Sequence, residues 1–228
     1  MQEASETPDR SGTGSHTTGG PARRFVSRGG LKLRHALDEF GIDPTGLRCA
    51  DLGCSVGGFT DCLLHANAAS VIAVDTAYGQ LAYTLRRDTR VTVRERTNAL
   101  HADPPEDPVD LVVIDLGWTP QRLVIPVALR WVRPGGRIIT LIKPHYEATD
   151  NEKSQMTKGV LPDELALNIS ERAADEIAGY DPTPHGSLSI EGLIRSPIRG
   201  SAKKSKSNKD RSEGVGNYEW LALISTSG

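Results

Sequence analysis

The chain has 228 residues, with 27 Lys plus Arg against 29 Asp plus Glu and a formal net charge of −2. At 37% hydrophobic and 25% charged residues it reads as an ordinary soluble globular chain, and no apolar run reaches the roughly 18 residues of a membrane helix. Three cysteines, Cys49, Cys54 and Cys62, are an odd number in one stretch and fit neither a disulfide framework nor a zinc quartet, so reduced thiols in the cytoplasm are expected.

Residues 1–22 read as a disordered polar tail, because through Gly20 there is no Val, Ile, Leu, Phe, Trp or Tyr to bury. Residues 23–228 read as one domain. Leu31, Leu33, Ala36, Leu37 and Phe40 give a helical face that Gly41 can stop. Leu47–Leu52 reads as a strand, followed by a glycine-rich turn, Gly53–Gly58, and a helix through Leu64. Ser70–Val74 is a second strand, ending at Asp75. Gln80–Arg87 reads as a helix, Val91–Arg94 as a strand and Asp110–Ile114 as an apolar strand. Arg122–Val132 is a helix stopped by Pro134-Gly135-Gly136, and Arg137–Ile142 is a buried strand. Pro162–Ala178 is a long helix with proline at its start. Two β patterns follow, Ser187–Ile194 and Tyr218–Ile224, with the Lys/Ser run Ser201–Ser212 between them.

Continuous apolar strands separated by helices predict a parallel sheet covered on both faces. The two closing β segments predict an antiparallel edge. The fold class is therefore α/β, a Rossmann-like doubly wound sheet. Ligands of such sheets bind beyond the carboxyl ends of the strands, where Gly53, Asp75, Asp115 and Lys143 fall.

The turn Asp51-Leu52-Gly53-Cys54-Ser55-Val56-Gly57-Gly58-Phe59 spaces its glycines as G-x-x-x-G-G. That is neither the dinucleotide fingerprint nor the triphosphate loop, and no Lys follows to hold a phosphate. A cationic, phosphate-free nucleoside suits it better. Asp51 would favour the positive charge, and Asp75 is placed to accept from a ribose diol. Together these point to S-adenosylmethionine, held by Asp51, Gly53, Ser55, Gly57, Gly58, Phe59 and Asp75. The plainer reading is that strand-to-helix turns need glycine anyway.

Charge is unevenly spread. Arg23, Arg24, Arg28, Lys32 and Arg34 carry +5 without an acid, and Arg195–Arg211 carries +6, so the remainder carries −13. Two basic segments on an acidic body are what a polyanion-binding face looks like in sequence, although solvated loops would look the same.

Several motifs in order resemble the TlyA family of FtsJ-like ribose 2′-O-methyltransferases acting on ribosomal RNA. They are Ser27-Arg28-Gly29-Gly30-Leu31-Lys32-Leu33, Gly57-Gly58-Phe59-Thr60-Asp61, Tyr78-Gly79-Gln80-Leu81, Glu95-Arg96-Thr97-Asn98 and Ile142-Lys143-Pro144. The match runs from about Phe25 to the end. It implies a methyltransferase fold, S-adenosylmethionine as cofactor and RNA, most of all ribosomal RNA or a ribosomal subunit, as partner, with no metal and no membrane. It adds Gln80, Asn98 and Asp115 to the cofactor residues. It also implies a catalytic Lys-Asp-Lys-Glu set: Lys32, Asp115, Lys143 and Glu219, the last in Asn217-Tyr218-Glu219-Trp220.

The chain departs from the family pattern in three places. A polar tail stands where relatives carry a small RNA-binding domain. The family's D-V-S-F is Asp115-Leu116-Gly117-Trp118, and its K-P-Q-F-E-A-G is Lys143-Pro144-His145-Tyr146-Glu147-Ala148-Thr149.

A ribose hydroxyl is a poor nucleophile, whereas a sulfonium methyl is already activated. The enzyme must align the two and remove one proton. A lysine acts as base only when burial or a second cation makes it easier to deprotonate. Lys143 is expected to accept the proton and Lys32 to steer ribose and phosphate. Asp115 and Glu219 would orient the pair and bring the buried set to zero charge. Taken singly, Lys143 could be a solvated strand end and Asp115 a cap. Trp118 is either a platform for a base or a core residue. Arg23, Arg24, Arg28, Lys203, Lys204 and Lys206 are the expected phosphate contacts. His35, His65, His101 and His185 show no metal-ligand spacing. Alternatives are a methyltransferase acting on another substrate, a membrane-active protein as some relatives' haemolysin label suggests, and a non-catalytic RNA-binding protein.

Overall fold

The computed structural model describes residues 25–180, 188–200 and 216–227. Its helices are α1 (Gly29–Glu39), α2 (Gly58–His65), α3 (Tyr83–Arg86), α4 (Gln121–Trp131), α5 (Pro144–Glu147), α6 (Asp150–Lys153) and α7 (Asp163–Ala178). Its strands are β1 (Arg48–Leu52), β2 (Ser70–Val74), β3 (Val91–Arg94), β4 (Val109–Ile114), β5 (Val132–Ile142), β6 (Leu188–Arg195) and β7 (Trp220–Thr226), and a 3-10 turn covers Ala99–His101. The tail 1–22, Arg23, Arg24, Lys203, Lys204 and Lys206 lie outside the described residues.

The seven strands form one sheet in the order β3-β2-β1-β4-β5-β7-β6. β1 to β5 pair in parallel, while β7 runs antiparallel between β5 and β6. This is the doubly wound α/β sheet with an antiparallel edge that the hydrophobic pattern predicts. Side chains alternate across it. Cys49, Leu111, Val113, Ile139 and Leu141 pack with α1, α2 and Leu85 of α3 on one face. Ala50, Val112, Ile114 and Ile138 pack with α4 and Ile177 of α7 on the other.

Strand direction positions the site. β1, β2, β4 and β5 all end on one edge of the sheet. Ile142 at the end of β5 pairs with Trp220, the first residue of antiparallel β7, and Trp220 also pairs with Arg195, the last residue of β6. Lys143, Glu219 and Arg195 therefore arrive at the same edge from three strands.

Two elements differ from the sequence reading. The helix expected over Gln80–Arg87 is only Tyr83–Arg86. Gly79 turns through a φ of +72°, and the Ala82 amide donates to the Val56 carbonyl at 3.0 Å, so the chain is tied to the glycine-rich turn before it can coil. Pro134-Gly135-Gly136 does stop α4, but as an excursion within β5: Val109 pairs with Val132, and Leu111 next pairs with Arg137.

Candidate active site

β1 carries the wholly buried Asp51 to the start of α2. There the Thr60 amide and hydroxyl both donate to its Oδ2, at 2.9 and 2.6 Å, while Oδ1 has no hydrogen-bond partner. Burial pushes the Asp51 carboxyl up to about 7; Asp115 and Asp75 push the same way, against the Thr60 bonds. A buried carboxyl with one oxygen unpartnered is costly unless a partner reaches it.

The turn above it is locked. Gly53 has a φ of +95°, and a Cβ there would stand 2.7 Å from the Asp115 carbonyl oxygen. Glycine lets β1 and β4 exits close on each other. Ser55, at a φ of +48°, donates its amide to Asp75 Oδ2 at 2.8 Å, and the Ala77 amide donates to Oδ1 at 2.7 Å. Asp75 is thus fixed in orientation with lone pairs still available to an incoming diol.

These groups line a cavity of about 620 Å³, within the range of small-ligand sites. Gly53, Ser55, Gly58, Phe59, Asp75, Asn98 and Asp115 line it. Of the other expected cofactor residues, Asp51 lies beneath the turn, Gly57 faces Leu81 and Leu85, and Gln80 is exposed and outside the lining. Asn98 caps the 3-10 turn, its Oδ1 accepting from the Leu100 amide at 3.0 Å.

Lys32, Lys143 and Asp115 line the same cavity. Lys143 Nζ sits 2.5 Å from Asp115 Oδ1 and donates to the Leu116 carbonyl at 2.9 Å. Lys32, on the first turn of α1, donates to Glu219 Oε2 at 2.5 Å; both side chains are buried. Each ammonium thus has a carboxylate of its own. α1 reaches this depth because Gly29 and Gly30 pack against Gly58, where a Cβ would stand 2.8 Å from the Gly30 nitrogen. The four residues that the motifs suggest meet in one place, Glu219 reaching the cavity through Lys32.

Trp118 is 74% exposed at the cavity wall with a φ of +61° and packs on Tyr146, ring centroids 5.1 Å apart. It is not a core residue. Arg28 is exposed and also lines the cavity.

The sequence reading missed three supports. Thr60 holds Asp51, a role hidden in an ordinary helix start. The Leu116 carbonyl holds Lys143, which no side-chain pattern encodes. Tyr146 adjoins the acids: burial first, then Glu219 and Asp115, raise its phenol. Its place in the Lys143-Pro144-His145-Tyr146 run was the available signal. Next to it, burial and the Lys143 charge push His145 down to about 4, and burial lifts Glu147 to about 7. All three cysteines are buried and free, and burial raises each thiol. Among the described residues no cluster of His, Cys, Asp or Glu could hold a metal, and no helix is long and apolar enough to cross a membrane.

A family model described as FtsJ-like methyltransferase matches residues 25–160. YqxC of Bacillus subtilis, named as a candidate rRNA methyltransferase, is 41% identical over 214 residues, covering 90% of this chain and 67% of YqxC. TlyA of Mycobacterium tuberculosis, named a 16S/23S rRNA (cytidine-2′-O)-methyltransferase, is 46% identical over 127 residues, 55% of this chain and 47% of TlyA. The matched part therefore spans less than half of that relative's length. A solved Streptococcus thermophilus structure described as a hemolysin superposes with a TM-score of 0.72 at 30% identity, over 91% of this chain and 69% of that one. An S-adenosylmethionine-dependent methyltransferase from Mesorhizobium loti shares the fold, with a TM-score of 0.51 at 18% identity over 84% of this chain and 96% of that one.

Proposed function

The chain belongs to the FtsJ-like methyltransferase family, and on that premise we propose that it transfers a methyl group from S-adenosylmethionine to a ribose 2′-hydroxyl of ribosomal RNA. The names of its TlyA relatives support the RNA class, and a cytoplasmic location follows from that substrate. The observation that carries the reading is the juxtaposition, in one cavity, of a glycine-rich turn over a buried acid with two ion-paired lysines.

The residues fit the cofactor. Asp51 offers an unpartnered buried oxygen below the turn, Gly53 keeps the turn open to close approach, and Asp75 is oriented for a diol. When bound, S-adenosylmethionine supplies an electrophilic methyl on a sulfonium. Lys143, as the free amine, would accept the proton of the ribose hydroxyl. Asp115 and the Leu116 carbonyl fix its Nζ: in the free amine they take both N–H donors and leave the lone pair aimed in one direction. Lys32, held by Glu219, steers the ribose and its phosphate. Trp118, already exposed, offers a face on which an unpaired base can stack. Arg28 at the lining, with Arg23, Arg24, Lys203, Lys204 and Lys206 on the flanking basic segments, contacts the backbone.

The test is labelled methyl transfer to isolated ribosomal subunits and to naked rRNA, followed by mapping of 2′-O-methyl nucleotides. Incorporation at discrete ribose positions is expected. Cofactor binding without incorporation into any RNA would favour another substrate or a binding role.

A further inference from the structure

The strand edge beside Glu219 carries a second charged feature. Tyr218 lies between two arginines, with the Arg195 Cζ 3.1 Å and the Arg199 Cζ 3.5 Å from its ring centroid. Two guanidinium groups that close to one centroid must stack on opposite faces. Stacking uses the flat face of each guanidinium and leaves its in-plane N–H donors pointing outward.

The stack is rigidly tied to the catalytic segment. The Ser196 amide donates to the Glu219 carbonyl at 2.8 Å, and the Gly200 amide to the Asn217 carbonyl at 3.0 Å. Ser196 Oγ donates to the Ile198 carbonyl at 2.7 Å, which tightens the loop. A Cβ at Gly200 would stand 2.6 Å from Glu219 Oε1, so the loop lies directly on the carboxylate that holds Lys32. Ile198, between the two arginines, lines the cavity. The stack itself is outside the lining and joins the cavity wall through Ile198.

Among the described residues its charge is met only in part. Among the described residues the acid facing both arginines is Asp163, 62% exposed and 4.0 Å from each. One carboxylate at that range serves two cations. Arg199 spends one donor on the Gly216 carbonyl at 3.5 Å, a long bond. Two like charges stacked on one ring repel, and an anion held between their N–H edges would relieve that. Guanidinium edges match phosphate oxygens in geometry.

We propose that the Arg195–Tyr218–Arg199 stack is a clamp for a backbone phosphodiester of single-stranded RNA, next to the ribose that enters the cavity. The clamp rests on the RNA reading above and adds a hold on the backbone. The aromatic ring holds both cations in register, and the loop holds the ring at a fixed offset from Lys32.

The test is the salt dependence of binding to a labelled, mixed-sequence single-stranded RNA oligonucleotide. In Arg195→Gln/Arg199→Gln the slope of log affinity against log salt should fall by about 0.7 for each phosphate no longer neutralised. Affinity for S-adenosylmethionine should not change. Arg130→Gln, which removes an exposed charge near the carboxyl end of α4, should leave the slope as it is. Arg195→Lys/Arg199→Lys keeps the charges and should keep the slope while weakening affinity, because lysine lacks the flat fork. Arg199→Gln alone, leaving Arg195 on the ring, covers the case in which the double variant does not fold. An unchanged slope in the folded Gln variants, or an equal decrease in Arg130→Gln, overturns the clamp. Methyl transfer by the wild type is read separately. A lower slope in variants of a protein that transfers nothing keeps the clamp and removes the reaction, and an unchanged slope in an active enzyme does the reverse.

Discussion

Two of the three positions around the Lys143 nitrogen are fixed, one by Asp115 and one by the Leu116 carbonyl, which in the free amine leaves the lone pair as the third. That leaves a single direction in which its nitrogen can act. Lys143→Ala should therefore lower methyl transfer by about 10²–10⁴-fold, the usual share of a general base. Cofactor binding and the far-ultraviolet circular dichroism should stay unchanged. Full activity in a folded variant would move the proton-accepting role elsewhere. Lys143 and Asp115 were legible because each stands directly after an apolar strand, and strand ends point at ligand sites in such sheets. Lys32 and Glu219 were legible only through motif resemblance. Their bond spans 187 positions, and no local pattern predicts a partner at that separation. Trp118 could be read as core or platform because tryptophan serves both. Only its place on an exposed turn decides.

The glycine-rich turn was legible by spacing, but not the reason for each glycine. Gly53 and Gly79 both adopt positive φ, +95° and +72°, yet a Cβ at Gly53 meets the Asp115 carbonyl oxygen at 2.7 Å, whereas one at Gly79 meets open space. Gly79→Ala should cost only the backbone strain, about 1 kcal/mol. Gly53→Ala adds a clash with main chain that cannot rotate away, and should cost about 2–3 kcal/mol and weaken cofactor binding. Thermal melts of the two variants, with a binding isotherm for each, check the order. Equal destabilisation would mean that β4 yields at Asp115 and the close approach is not needed. The short α3 shows the limit of periodicity. Its apolar spacing continues upstream, but the Ala82 amide is already committed to Val56, a tertiary bond that propensity cannot foresee.

At the scale of the whole molecule, the alternation of apolar runs and helices was enough for the fold class. The strand order was not, because the same two closing segments could have formed a hairpin outside β5 in either order. The structure places β7 inside and β6 outside. The net charge of −2 is likewise uninformative as a sum, since it conceals two basic segments, one of which supplies the arginines stacked on Tyr218. A ligand seated between the turn, α1 and the strand ends should stabilise all of them together. At a hundredfold excess over Kd, S-adenosylmethionine should add about 2.7 kcal/mol, raising Tm by about 5–11 °C for a chain of this size. A nicotinamide dinucleotide should not, because the G-x-x-x-G-G spacing lacks its fingerprint. Differential scanning calorimetry with each compound separates the two, and an equal shift by both would reject the cofactor assignment.

The inner position of β7 also orders events in time. Among the described residues β6 bonds to the sheet through β7 alone, and β7 follows it in sequence. As the polypeptide is synthesised, β1 to β5 can pair in sequence, but β6 emerges with no neighbour to accept it and must wait. Late, non-local pairing of this kind is slow and leaves an open strand edge while it lasts. When β7 docks, it seats β6, brings Glu219 to Lys32 and sets Tyr218 between its arginines in one step. A partly folded chain can therefore have the glycine-rich turn in place and still lack its lysine–glutamate pair, which is completed only when β7 docks.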